Sequence, residues 1–227
     1  KSFLSGNNLI GLVRLLISHE QYDAAEEIAA HIRRYRMYEP HWPEAQEHRM
    51  TVLLRMQRFD ELRQALEEIP DRVQNESLFR WFAWQLAQKT NADDVTIDKL
   101  LETLPPLNPK IPASWSLHMA AVDRLIEKRA FSEARARLQA ISGHSDILSS
   151  QTTDLTRRFA LLAFHQGELE QALTLYRDLA QIPEEEPWAL FRQITVLNRL
   201  NRKEEADRLI LRLKNRHPDS YWSRQIR

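Results

Sequence analysis

The chain has 227 residues, with only 4 glycines and no cysteine. So little glycine disfavours strands joined by tight turns and phosphate-binding loops, and the lack of cysteine excludes disulfide scaffolds, thiolate catalysis and zinc knuckles. Lysine plus arginine and aspartate plus glutamate both number 32, so no net charge draws the chain to nucleic acid or to an anionic membrane.

In chain order, the sequence reads as pairs of amphipathic helices, each pair joined by a short turn, with prolines mostly between the helices. One position early in the second helix of each pair recurs at intervals of 37, 34, 38, 38 and 34 residues: Ala25, Leu62, Thr96, Ala134, Ala172 and Ala206. An aromatic residue precedes it in three pairs, at Tyr22, Phe59 and Phe131. A lone hairpin cannot bury its apolar face, so this recurrence predicts that neighbouring hairpins stack.

The last two pairs carry the pattern most clearly. Residues 155–187 and 188–218 have the same form, and their second helices have apolar stripes at helical spacing: Leu169, Ala172, Leu173 and Tyr176 in one, Ala206, Leu209, Ile210 and Leu213 in the other. Pro218 follows the last stripe, and Asp219 or Ser220 after it is placed to cap a further helix.

With this spacing, small residue and terminal proline, the chain resembles the tetratricopeptide repeat (TPR) family, whose unit is a helix–turn–helix of about 34 residues. The resemblance implies an all-α fold, a right-handed superhelical solenoid of TPR-like hairpins (an α-α superhelix), in one domain over 1–227. The expected units are 6–39, 43–76, 77–112, 115–150, 153–186 and 187–220.

The stretch SLFRWFAWQLAQ, residues 77–88, concentrates four aromatic rings in six positions. On a helical wheel Phe79 and Phe82 share one face, and Trp81 and Trp84 lie roughly opposite. We expect Phe79 and Phe82 to lie in the core. The family register places Trp81 on the concave groove, partly exposed.

The same resemblance predicts a partner-binding groove made of Trp81, Met119, Arg157, Trp188, Phe191, Arg192 and Arg199. Mixed aromatic and arginine surfaces are typical of protein recognition. Some TPR proteins hold a C-terminal carboxylate with a lysine and asparagine clamp, but Leu161 and Thr195 occupy such positions here, so that ligand is disfavoured. The function implied is a non-catalytic protein–protein interaction scaffold or adaptor that binds a partner segment in the groove.

No catalytic or nucleotide-binding motif is present in the sequence, so we expect no enzyme activity and no cofactor. Glu44 and His48 have the i, i+4 spacing of metal ligands and His41 lies nearby, but a third convergent ligand is missing. An ordinary first helical turn after Pro43 is the favoured interpretation, and we expect no metal site.

The uneven distribution of charge along the chain suggests an alternative partner. Residues 187–227 contain 10 basic and 4 acidic residues, so this end carries about +6 and the remainder about −6. An RNA-binding helical repeat is therefore the alternative, although a balanced net charge argues against it and no nucleic acid is the expectation. Self-association is compatible with the sequence.

Three features of the sequence bear on the compartment of the protein. The apolar run Leu9–Ile17 contains Arg14 and is too short to span a bilayer, so no transmembrane segment is expected. The chain opens on Lys1 rather than Met, and we expect it to be part of a longer protein. Its tail resembles those of TPR proteins of the bacterial envelope, which favours an envelope assembly scaffold in the periplasm, with a cytoplasmic regulatory adaptor as the alternative.

Overall fold

A computed structural model describes residues 5–35, 40–70 and 76–226, and within these ranges the chain is all-α without a β-strand. The predicted units 6–39 and 43–76 include residues 36–39 and 71–75, which lie outside the described ranges. The chain divides into two compact units, Lys1–His118 and Met119–Arg227. No helix in the described ranges combines the length and the apolar character needed to cross a bilayer.

In the first unit each helix packs against the next, and α1 also contacts α3 as α3 contacts α5. The helices are α1 (Gly6–Ser18), α2 (Tyr22–Arg34), α3 (Trp42–Arg55), α4 (Phe59–Glu67), α5 (Ser77–Lys89) and α6 (Asp94–Glu102). Helix α7 (Pro112–Glu127) contains the boundary between the two units. Consecutive packing of this kind makes α1–α2, α3–α4 and α5–α6 hairpins, as the periodicity predicts.

The second unit repeats this arrangement in α8 (Phe131–Ser142), α9 (Ser149–Gln166), α10 (Leu169–Leu179), α11 (Glu186–Arg199), α12 (Lys203–Arg216) and α13 (Tyr221–Gln225). Consecutive helices pack from α8 to α13, and α11 also contacts α13. Ser220 is the N-cap of α13, because its side-chain oxygen accepts a hydrogen bond from the Ser223 N–H. The predicted helix after Pro218 is therefore confirmed.

Every hairpin turn has the same backbone closure. One residue with positive φ lies five positions before the recurring small-residue position, at 20 and 25, 57 and 62, 91 and 96, 129 and 134, 167 and 172, and 201 and 206. In all six turns the next residue donates its N–H, at 2.9 Å, to the carbonyl five positions earlier. This pair of features is a Schellman motif, which satisfies carbonyls left open at a helix C-terminus. Its recurrence is compatible with a helical repeat.

The turns also show where the sequence is locally strained. Only Gly167 among the six positive-φ residues is glycine, whereas Gln57 has φ 58° with a β-carbon that disfavours this conformation. Gln57→Gly is therefore expected to raise the free energy of unfolding by about 0.5–1 kcal/mol, and Gly167→Ala to lower it by about 1 kcal/mol, in urea denaturation.

Asn201→Gly is the matched control, because asparagine tolerates positive φ and its replacement should change stability by only a few tenths of a kcal/mol. Equal effects of Gln57→Gly and Asn201→Gly would contradict the strain argument.

Five of the six recurring positions, Ala25, Leu62, Ala134, Ala172 and Ala206, are fully buried. Thr96 is the exception: its side chain is exposed, and the neighbouring Ile97 is half-buried instead. The cause is local. Asp93 accepts a hydrogen bond from the Thr96 N–H at 2.7 Å and caps α6, so this helix begins one residue later relative to its turn than the other second helices.

The aromatic helix α5 divides as predicted. Phe79 and Phe82 belong to a core cluster formed by α3, α4 and α5, with exposed fractions of 4% and 1%. Trp81 packs on the edge of this cluster and is half-buried, its ring 5.0 Å from that of Phe82 in a T-shaped contact. The aromatic residues of this helix thus serve mainly the fold, and Trp81 keeps part of its ring open to solvent.

Candidate functional site

An arginine–tryptophan cluster lies in the second unit, where α9 and α11 bring together Arg157, Trp188 and Arg192. The guanidinium carbons of Arg157 and Arg192 lie 5.2 and 5.6 Å from the centre of the Trp188 ring, within cation–π range. Tyr176 meets the same ring edge-on at 5.5 Å between centroids, and Tyr176 itself is fully buried. The half-buried Trp188 ring is thereby held in place by the core below it.

The arginines of this surface differ in their charge partners. Arg157 forms an ion pair with Glu185, at the start of α11. Arg192 and Arg199 have no carboxylate within ion-pair distance among the described residues. Arg199 is exposed, and its guanidinium carbon lies 4.0 Å from the centre of the Phe164 ring. The surface therefore holds two arginines whose charge the described part of the protein leaves uncompensated.

The charges of the surface arginines act on the neighbouring side chain of His165. Burial lowers the pKa of its imidazole, and the positive charges of Arg192, Arg199 and Arg129 lower it further. The charges of three arginines thus act on one side chain at this surface. Such a surface favours an anionic group on whatever binds it.

Phe191 and the terminal helix α13 form the neighbouring part of the surface. Trp222 of α13 packs its ring 5.2 Å from that of Phe191, and the ring of Tyr221, which is 58% exposed, stands perpendicular to Trp222. Phe191 is half-buried, so it is partly covered by Trp222 rather than open. Trp222 did not emerge from the sequence, although the N-cap at Ser220 signalled the helix that carries it.

The predicted groove residues are therefore only partly brought together. The second unit contains Arg157, Trp188, Phe191, Arg192 and Arg199 in α9 and α11. Met119 is 2% exposed, and its side chain offers a partner no surface in this structure. Phe164, which contacts Arg199, is buried. Trp81 belongs to the first unit, whereas the cluster is formed by residues of the second.

The His41, Glu44 and His48 group contains one contact, in which His48 Nε2 lies 3.9 Å from Glu44 Oε1. Burial lowers the pKa of His48, which opposes the charged form that an ion pair would need. Across the described ranges no three His, Cys, Asp or Glu side chains converge as metal ligands would.

Comparison with models of known protein families gives no match, and a search of curated proteins finds no significantly similar sequence. The helical hairpins are thus a finding of the structure, and the TPR resemblance stays a prediction.

Proposed function

We propose that the chain is a non-catalytic protein-binding scaffold, a right-handed superhelical solenoid of TPR-like hairpins, whose second unit holds a partner segment on the arginine–tryptophan cluster. The observation that carries this proposal is the pair of guanidinium groups stacked on the half-buried Trp188. Tryptophan and arginine dominate the binding energy of protein interfaces, especially where the rings are already fixed before binding. Here Tyr176 and the core of the unit fix the ring.

The charges on this surface favour an acidic partner segment. Arg192 and Arg199 can each form a bidentate pair with a carboxylate, which gives orientation as well as affinity. The short resemblance of the tail to bacterial envelope TPR proteins makes an envelope assembly complex the favoured setting, with a cytoplasmic adaptor role as the alternative.

RNA binding is the second candidate, because uncompensated arginines beside aromatic rings also suit phosphates and stacked bases. The two candidates differ in salt dependence. Binding of a labelled single-stranded RNA should weaken steeply with salt if phosphates are the ligand.

The test compares Arg192→Ala, in the cluster, and Arg199→Ala, on the same helix α11, with the wild-type chain and with Arg208→Ala, an exposed arginine of α12. Proteins captured from a lysate of the source organism are identified, and the affinity for the captured partner is measured. Removing an anchor should cost about 2 kcal/mol, roughly 30-fold in Kd. Arg199→Ala and Arg208→Ala, both at exposed positions, should change stability by within about 0.5 kcal/mol.

Arg208→Ala should retain the partner. Capture that is equal for all four chains would exclude the cluster as the binding surface, and capture of RNA alone would favour the second candidate.

A further inference from the structure

A groove of about 780 Å³ lies in the first unit, bounded by α3, α5, the start of α7 and the connector 103–111. Its apolar wall includes Leu78, Trp81, Pro105 and Ile111, and its acidic side chains are Glu47 and Glu76. A volume of this size accommodates several side chains of a peptide. None of these residues belongs to the arginine–tryptophan cluster, so a ligand of this groove would be additional to the partner proposed for the second unit.

The groove is preformed. Trp81 is held against Phe82, which is 1% exposed and belongs to the core. On the opposite side His118 Nε2 donates to the carbonyl of Pro105 at 3.0 Å, and the Asn108 N–H donates to Ser114 Oγ at 3.0 Å, so the connector is tied to α7. Fixed walls reduce the ordering cost of binding, because the groove does not have to form when a ligand arrives.

The two glutamates that line the groove have no basic partner in its lining. No lysine, arginine or histidine side chain lines it among the described residues. Neither Glu47 nor Glu76 makes an ion pair within the described ranges. Burial raises the pKa of Glu47 and the charge of Glu44 raises it further, whereas the charge of Arg14, which forms an ion pair with Glu44, lowers it. A cation brought into the groove would offset this repulsion and the loss of water around the carboxylate.

We propose that this groove binds a segment of another protein in which a lysine or arginine lies within a few residues of a large apolar side chain. The apolar side chain packs on Trp81 and Ile111, which is 41% exposed, and the cation pairs with Glu47 and Glu76. Charge complementarity favours this occupant. The two carboxylates repel the phosphates of a nucleic acid, and they repel an acidic peptide for the same reason.

The test selects ligands for the full chain from a random 12-residue peptide library displayed on phage. Enriched peptides should carry lysine or arginine close to Leu, Ile, Phe, Trp or Met. Their Kd should rise about 30-fold for Trp81→Ala and about 10-fold for the double variant Glu47→Gln/Glu76→Gln. The double variant should fold normally, because it removes a charge on Glu47 that burial already disfavours. It therefore tests the groove even if Trp81→Ala impairs folding.

Trp42→Ala and Glu102→Gln are the matched controls, because both side chains are exposed and neither lines the groove. Arg199→Ala should leave these peptides bound, which separates this proposal from the proposed function. The proposal is overturned if no peptide is enriched, if the enriched peptides lack cations, or if the groove variants bind them unchanged. Concentration-dependent dimerisation that is lost in Trp81→Ala would also overturn it, because a second copy would then be the occupant.

Discussion

Phe82→Ala is expected to lower the free energy of unfolding by about 3–5 kcal/mol, the largest single-residue effect anticipated in the first unit. The ring is 1% exposed and belongs to the core cluster formed by α3, α4 and α5, so its removal takes apolar surface out of the core and leaves a cavity. Urea denaturation followed by far-ultraviolet circular dichroism measures the change, and the slope of unfolding free energy against urea should stay near the wild-type value.

Val95→Ala is the control, because Val95 is 75% exposed and its truncation should cost no more than about 0.5 kcal/mol. A loss of unfolding free energy below about 1 kcal/mol for Phe82→Ala would mean that the aromatic face of α5 does not pack in the core.

Ala206→Leu and Ala172→Leu are each expected to cost about 1–3 kcal/mol. Both methyl groups are fully buried where the second helix of a hairpin packs against its neighbours, and a larger side chain there must displace other core residues. Thermal and urea unfolding of the two variants measure the loss.

Ala140→Leu makes the same change at an exposed position of α8 and should be nearly neutral. If both buried variants unfold at the same urea concentration as the wild type, the two positions are not closely packed.

Much of the hairpin arrangement could be predicted from sequence because it depends on local periodicity. Ala172 and Ala206 mark second helices by the apolar stripes that contain them, and both positions are buried. Thr96 could not be placed by spacing, because the cap at Asp93 delays the start of α6 by one residue. A single hydrogen bond decides that register, and counting intervals does not detect it.

The candidate site was predictable in its residue types and not in its contacts. Arg157 and Trp188 lie on different helices, so their stacking depends on how α9 and α11 pack, which no spacing in the sequence gives. Met119 shows the complementary error: a family register identifies a helix face but does not distinguish a groove from a buried contact on that face. The groove around Trp81 depends on the connector 103–111, whose path the prolines suggest only as a break between helices.

The shared closure of the six turns has a consequence for how such a chain can change in length. Each turn fixes its residues by the same hydrogen-bond pattern, so an inserted residue would break a Schellman motif and misalign the two helices of that hairpin. The connectors between hairpins carry no such recurring bond pattern among the described residues. They also differ in length: the connector 143–148 has six residues and the connector 103–111 has nine. Insertions, deletions and engineered tags should therefore be tolerated between hairpins and rejected within them.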